Sequence, residues 1–85
     1  MKLHNLKIKA GYASAKLRGA KPFEIRLNDR DFKVGDIVNY TCIDSQIFDE
    51  KISNKLYYIT YITNFEQKDG YVVFGEKELG TVPID

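Results

Sequence analysis

The chain is short of cysteine, proline and histidine and has no long apolar run, and each shortage removes a class of protein. Its one cysteine, Cys42, cannot close an intrachain disulfide. A chain of 85 residues outside the cell would usually need such bridges, so a reducing, cytoplasmic setting is expected. One histidine beside one cysteine leaves no ligand set for a structural zinc, and neither metal nor cofactor is expected. His4, Asn5, Lys7 and Lys9 interrupt every candidate signal segment near the start, and no stretch approaches the ~20 apolar residues of a membrane span. Two prolines and six glycines exclude collagen-like and low-complexity chains. Charge of either sign is not in excess. Thirteen basic and twelve acidic residues leave a net +1, which by itself argues against a surface coated for nucleic acid.

What is present is an ordinary globular composition, 44% hydrophobic and 29% charged. It is enough for one small domain over residues 1–85, with a monomer expected and no room for a second core. The near-zero net charge hides an asymmetry. Up to position 33 nine basic residues face three acidic ones, and beyond it four face nine, giving +6 and then −5. The first third of the chain is therefore the candidate surface for an anionic partner.

Apolar spacing gives the elements. Residues 3–9 alternate, with His4, Leu6 and Ile8 inward and Lys7 and Lys9 outward, as in a half-buried strand. Ala10, Ala13, Leu17 and Ala20 recur at helical spacing and predict a helix over 11–18, with Ser14, Lys16 and Arg18 on its other faces and Gly19 as its left-handed stop. Pro22 starts an extended segment in which Phe23, Ile25 and Leu27 are expected inside and Glu24, Arg26 and Asn28 outside. Residues 28–33 form a polar loop anchored by Phe32, and Gly35-Asp36 turns into a strand over 37–43 that carries Cys42 toward the core. Residues 44–54 look turn-like. Lys55–Thr63 gives the strongest strand signal and could be buried on both faces, Tyr71–Phe74 is a short strand, and an edge strand is expected around Thr81 and Val82. The sum is an α+β, mostly β fold: a small barrel of five or six largely antiparallel strands with one N-terminal helix beside it.

The segment Gly19-Ala20-Lys21-Pro22-Phe23-Glu24-Ile25-Arg26 runs from helix end to strand without spare residues. Side chains two apart on a strand lie roughly 7 Å apart, so Lys21, Glu24 and Arg26 gather at one corner, with Arg30 of the next loop in reach. A surface ion pair, worth about 0–1 kcal/mol, is the plain structural alternative.

The pattern Gly-x-Lys-x-x-Glu-x-Arg (Gly19, Lys21, Glu24, Arg26) resembles the signature of the ASCH domains, which carry a PUA-like barrel. The chain is most similar to a bacterial and phage branch of unknown function, DUF3850, through His4, Leu6 and Lys7, then Phe23, then Asn28, Asp29, Arg30, Phe32, Gly35 and Asp36, and finally Gly70-Tyr71-Val72-Val73. The resemblance implies a PUA-like fold and, because such barrels often bind RNA, a binding cleft beside the signature. Some ASCH proteins resemble enzymes that deacylate acetylated cytidine, with a Thr three residues after the Lys and a later Glu, or that cleave single-stranded RNA. Here Glu24 stands where that Thr nucleophile would be, and no later acid has an evident counterpart, so the deacylation chemistry does not carry over.

The leading expectation is a module that binds RNA or a nucleotide-like anion through Lys21, Arg26, Arg30 and Lys7, with Glu24 orienting the cations or reading a base edge and His4 nearby. Tyr57, Tyr58 and Tyr61 offer stacking faces, although barrel packing is the preferred reading for them. The alternative is a small hydrolase or ribonuclease with Lys21 and Glu24 in its site, while His4 satisfies a core hydrogen bond. A third reading is a protein-interaction domain whose Asp44, Asp49 and Glu50 meet a basic partner.

Overall fold

The computed structural model describes residues 1–81. Five strands and two helices follow in the order β1 (Leu3–Ile8), α1 (Ala10–Leu17), β2 (Phe23–Leu27), β3 (Ile37–Cys42), α2 (Gln46–Ile52), β4 (Lys55–Thr63) and β5 (Tyr71–Thr81). The strands form one sheet, β1-β3-β4-β5-β2, curled into a half-barrel. Three of the four pairings are antiparallel, as expected, and β1 with β3 is parallel.

Inside the curl, Leu6, Val38, Tyr40, Ile59 and Phe74 meet Ala13 of α1 and Ile52 of α2 in one cluster. Each such side chain contributes roughly 1.5–3 kcal/mol through burial. Cys42 joins this core, as expected. Phe32 is the expected anchor: its ring lies 4.7 Å from His4 and 5.0 Å from Phe74, and its amide donates to the Asn28 side chain. Gly35, at φ +92°, permits the turn whose amide donates to Ile59 O on β4.

The structure corrects four expectations. Residues 46–52 are a second helix, because Ser45 caps it by accepting from the Phe48 amide and Ile52 seats in the core. The two C-terminal strand signals belong to one long β5, in which the charged run Glu76-Lys77-Glu78 is held in register by β4; Val82 lies outside the described residues. In β4, Tyr57 and Ile59 are buried while Thr60 and Tyr61 are exposed, so only one face is covered. Finally, β2 is inverted: Glu24 is buried at 4% exposure, whereas Phe23, Ile25 and Leu27 face outward.

Candidate functional site

The inversion of β2 has its cause in two residues far apart in sequence. Lys16, on the inner side of α1, reaches Glu24 Oε2 at 2.8 Å and Glu76 Oε2 at 2.9 Å, and approaches the carbonyls of Lys21 and Phe23 at 3.4 Å. Its ammonium also lies 4.9 Å from the centre of the Tyr40 ring. A buried ammonium is tolerated only when paired, so Glu24 must face inward to meet it. Glu76 in turn accepts from the Tyr40 hydroxyl. Gly19, at φ +77°, reverses the chain after α1 and returns Lys21 alongside its own helix, where the Ala20 and Lys21 amides both donate to Ala15 O.

Around this buried set stand two half-buried cations. Lys21 donates to Glu24 Oε2 at 2.8 Å, and Arg26 Nε donates to Glu24 Oε1 at 3.1 Å. Glu24 is thus held by three cations and Glu76 by one. Burial works to raise the Glu24 carboxyl, but Lys16 and Lys21 together outweigh it and keep the group below its ordinary range. For Glu76, burial prevails over the pull of Lys16 and the Tyr40 hydrogen bond, and the charge of Glu24 adds to it, so this carboxyl is raised. Tyr40 is raised by burial and by Glu76 and Glu24, and stays a hydroxyl donor. Tyr57 beside it is pushed up to about 12, by burial first and then by Glu76 and Glu78.

Strands β1 and β2 are the two edges of the sheet and face one another across a seam. Arg26 Nη2 donates to Lys7 O at 2.9 Å and Arg30 Nη1 to Asn5 O at 3.1 Å, so guanidinium groups bridge where no strand ladder does. At one end of the seam lies a cleft of about 340 Å³. Lys7, Lys9, Lys21 and Arg26 bring positive charge to it, Tyr12 and Ile25 form apolar walls, and Glu24 lies at its base. The Lys21 ammonium stands 5.0 Å from the Tyr12 ring centre and 5.3 Å from that of Phe23.

Of the six residues singled out from the sequence, Lys7, Lys21, Glu24 and Arg26 line this cleft. Arg30 does not; it occupies the next position along the seam. His4 is not part of it either. Its Nε2 lies 2.8 Å from Asp36 Oδ2 at the far end of β1, where Asp36 also accepts from the amides of Lys2 and Lys33 at 3.1 Å. Burial works to raise Asp36, but the His4 contact and these two amides hold it below its usual value.

Asp44 and Asp49 turn out to be internal caps. Asp44 accepts from the Ala10 amide at the start of α1, and Asp49 from the Cys42 amide. Tyr57 packs edge-on against Tyr40, and Tyr61 lies on the outer face, so none of the three candidate tyrosines lines the cleft.

Lys16, Tyr40 and Glu76 were missed. Helical spacing assigned Lys16 to a polar face, and nothing local marks Tyr40 or Glu76 as partners of residues near the start. Glu76 is a later acid against the signature, although it meets Lys16 rather than Lys21.

The residues that carry the family-like pattern therefore divide in two. His4, Asn28, Phe32, Gly35 and Asp36 hold the turn into β3, while Lys21, Glu24 and Arg26 hold the cleft. The profile of a domain of unknown function, DUF3850, matches residues 3–75 and so covers both groups. The chain belongs to the DUF3850 family. No curated protein matches it. Among the described residues of this DUF3850 chain no cluster of acids, histidine and cysteine could hold a metal ion, and no helix is long and apolar enough to cross a membrane.

Proposed function

We propose that this chain binds single-stranded RNA or a nucleotide in the cleft between β1 and β2. The observation that carries the reading is the lining of that cleft, in which four cations and one exposed tyrosine surround a volume fit for a single nucleotide. Lys7, Lys9, Lys21 and Arg26 contact phosphate, and Tyr12 supplies a stacking face. Glu24, whose oxygens already serve Lys16, Lys21 and Arg26, orients these cations. Arg30 sits two residues along β1 from the Arg26 anchor, about 7 Å away, and meets the next phosphate of a strand. The likeness of the signature to ASCH domains, whose PUA-like barrels often bind RNA, points the same way.

Fluorescence anisotropy with short RNAs at two salt concentrations tests this. Four phosphate contacts give a log affinity that falls with log salt at a slope of about −3. Absence of binding at about 50 mM salt overturns the proposal.

A hydrolase or ribonuclease has one observation in its favour, the raised Glu76 carboxyl 2.9 Å from Lys16. Against it, Glu24 is held ionised by three cations and is a weak base, and the Cys42 thiol is buried with only Asp44 at 3.6 Å. Turnover of RNA or modified nucleosides that disappears in Lys21→Ala would favour the enzyme.

A further inference from the structure

The buried ion set is reached from two cavities. Glu24 lines the cleft between β1 and β2, whereas Lys16 and Glu76 line a second cavity of about 320 Å³, with Gly19, Pro22 and Tyr57, that shares no residue with the first. Between the two stands a single ammonium. Lys16 Nζ lies 2.8 Å from Glu24 Oε2 and 2.9 Å from Glu76 Oε2, so a chain of shared partners runs from Glu76 through Lys16 and Glu24 to Lys21 and Arg26 at the cleft wall.

Two buried carboxylates divide that one ammonium. Glu24 has Lys21 and Arg26 besides, but among the described residues no second cation reaches Glu76, whose other oxygen accepts from the Tyr40 hydroxyl. Around Glu76 stand Lys16 of α1, Glu24 of β2, Tyr40 of β3 and Tyr57 of β4, while the exposed Lys77 and Glu78 of its own strand line the same cavity. Of the two acids, Glu76 is the one that a proton reaches first. Burial and the charge of Glu24 raise its carboxyl against the pull of Lys16 and Tyr40, whereas Glu24 stays ionised.

We propose, resting on the reading of the cleft as an RNA site, that a proton on Glu76 sets how tightly the cleft holds its anion. With Glu76 ionised, Lys16 is divided between two carboxylates, and Glu24 holds Lys21 and Arg26 the more closely. With Glu76 neutral, Lys16 turns wholly to Glu24 and those two cations are freed for phosphate. In the same step the buried set, one ammonium against two carboxylates, passes from a net negative charge to none. Removing a unit charge about 10 Å from a bound anion changes affinity roughly three- to tenfold once salt screening is included. Linkage is reciprocal, so the anion raises the Glu76 carboxyl further and its binding takes up a proton. The second cavity gives that proton a path that a ligand in the cleft does not block.

Anisotropy with a short oligouridylate, which has no group of its own that titrates between about pH 5 and pH 8, tests this on the full chain. Affinity is expected to fall roughly three- to tenfold across that range in the unaltered chain, and to stay at its acid level throughout in Glu76→Gln. Nuclear magnetic resonance on the free, unaltered chain gives a reading that needs neither variant nor ligand: the Arg26 Nε–H resonance shifts with the midpoint of the Glu76 carboxyl. Binding at one affinity across the range overturns the coupling, as does an Arg26 resonance that ignores Glu76. A dependence that survives Glu76→Gln, as one arising at His4 would, overturns it too. Absence of binding at every pH overturns the RNA reading itself, and the coupling with it.

Discussion

Two buried acid–base groups stand at opposite ends of β1, and they are built differently. At its start, His4 and Asp36 form a pair in which the carboxylate also accepts from two backbone amides. Near its end, Lys16, Glu24 and Glu76 form a set that is one cation short, and Lys21 and Arg26 join it from the cleft wall. The first group ties one loop down and is finished there. The second shares its charge with groups that solvent reaches, since the Lys21 and Arg26 side chains keep 18% and 24% of their exposure. A buried charge set is a foundation for a site only where it passes its field outward in this way.

The strongest way to break the contrast is Lys16→Met. It takes from Glu76 its one cation and from Glu24 one of three, and a loss of about 3–5 kcal/mol is expected in urea denaturation. Adding Glu76→Gln to that variant should restore part of the loss, because the two sites share a partner. Next in size is Asp36→Asn, which keeps one acceptor oxygen but puts an amide nitrogen in place of the other, so that one of the two backbone amides loses its acceptor and His4 loses its charged partner. About 1–3 kcal/mol of stability should go, with ligand affinity within twofold of the parent.

Lys21→Ala should behave the opposite way. Glu24 keeps Lys16 and Arg26, so stability falls by no more than about 1 kcal/mol, while affinity for a short RNA drops about tenfold and the salt slope shrinks by about 0.7. Equal loss of binding in Asp36→Asn and Lys21→Ala would erase the distinction between the two groups.

The finest test is the sign of the pH dependence. Glu24 and Asp36 are held below their ordinary values of 4.5 and 3.8, so their contribution is present above those values and is lost as pH falls through the lower folded ones. Glu76 is raised above 4.5, so its contribution is full below that pH and is lost as pH rises through its folded value. Urea midpoints measured across the acid range should therefore have a shallower acid limb in Asp36→Asn, with the Glu24 part remaining. In Glu76→Gln they should rise relative to the parent toward neutrality.

Much of the fold could be read locally, because strands and turns announce themselves within a few residues. Gly19, Gly35 and Phe32 do what their positions predict, and four of the nine basic residues of the first third, Lys7, Lys9, Lys21 and Arg26, stand around one cleft. Alternation along β2 gave the right period but the wrong sign. A five-residue strand with apolar and charged residues in turn fits either face outward, and the choice was made by Lys16 and Glu76, one on a helix and the other 60 residues further along. The second helix was hidden by its polar composition, with only the Ser45 cap and the pair Phe48 and Ile52 to mark it. Arg30 was expected to reach the corner of Lys21, Glu24 and Arg26, and it lies outside the cleft, tied to Asn5 O along the seam. Tyr12, which no pattern distinguished from other helix residues, forms a wall because Gly19 folds Lys21 back against it.

The seam also bears on how the protein keeps its shape in a crowded solution. An open sheet edge is a template on which a stray strand can grow, and this half-barrel has two. On β1 the carbonyls of Asn5 and Lys7 are occupied by guanidinium groups, and on β2 the carbonyl of Phe23 is approached by the ammonium groups of Lys16 and Lys21. A strand arriving there finds its acceptors taken and positive charge in the way. The gap left for a ligand is by the same contacts a poor seed for fibrils.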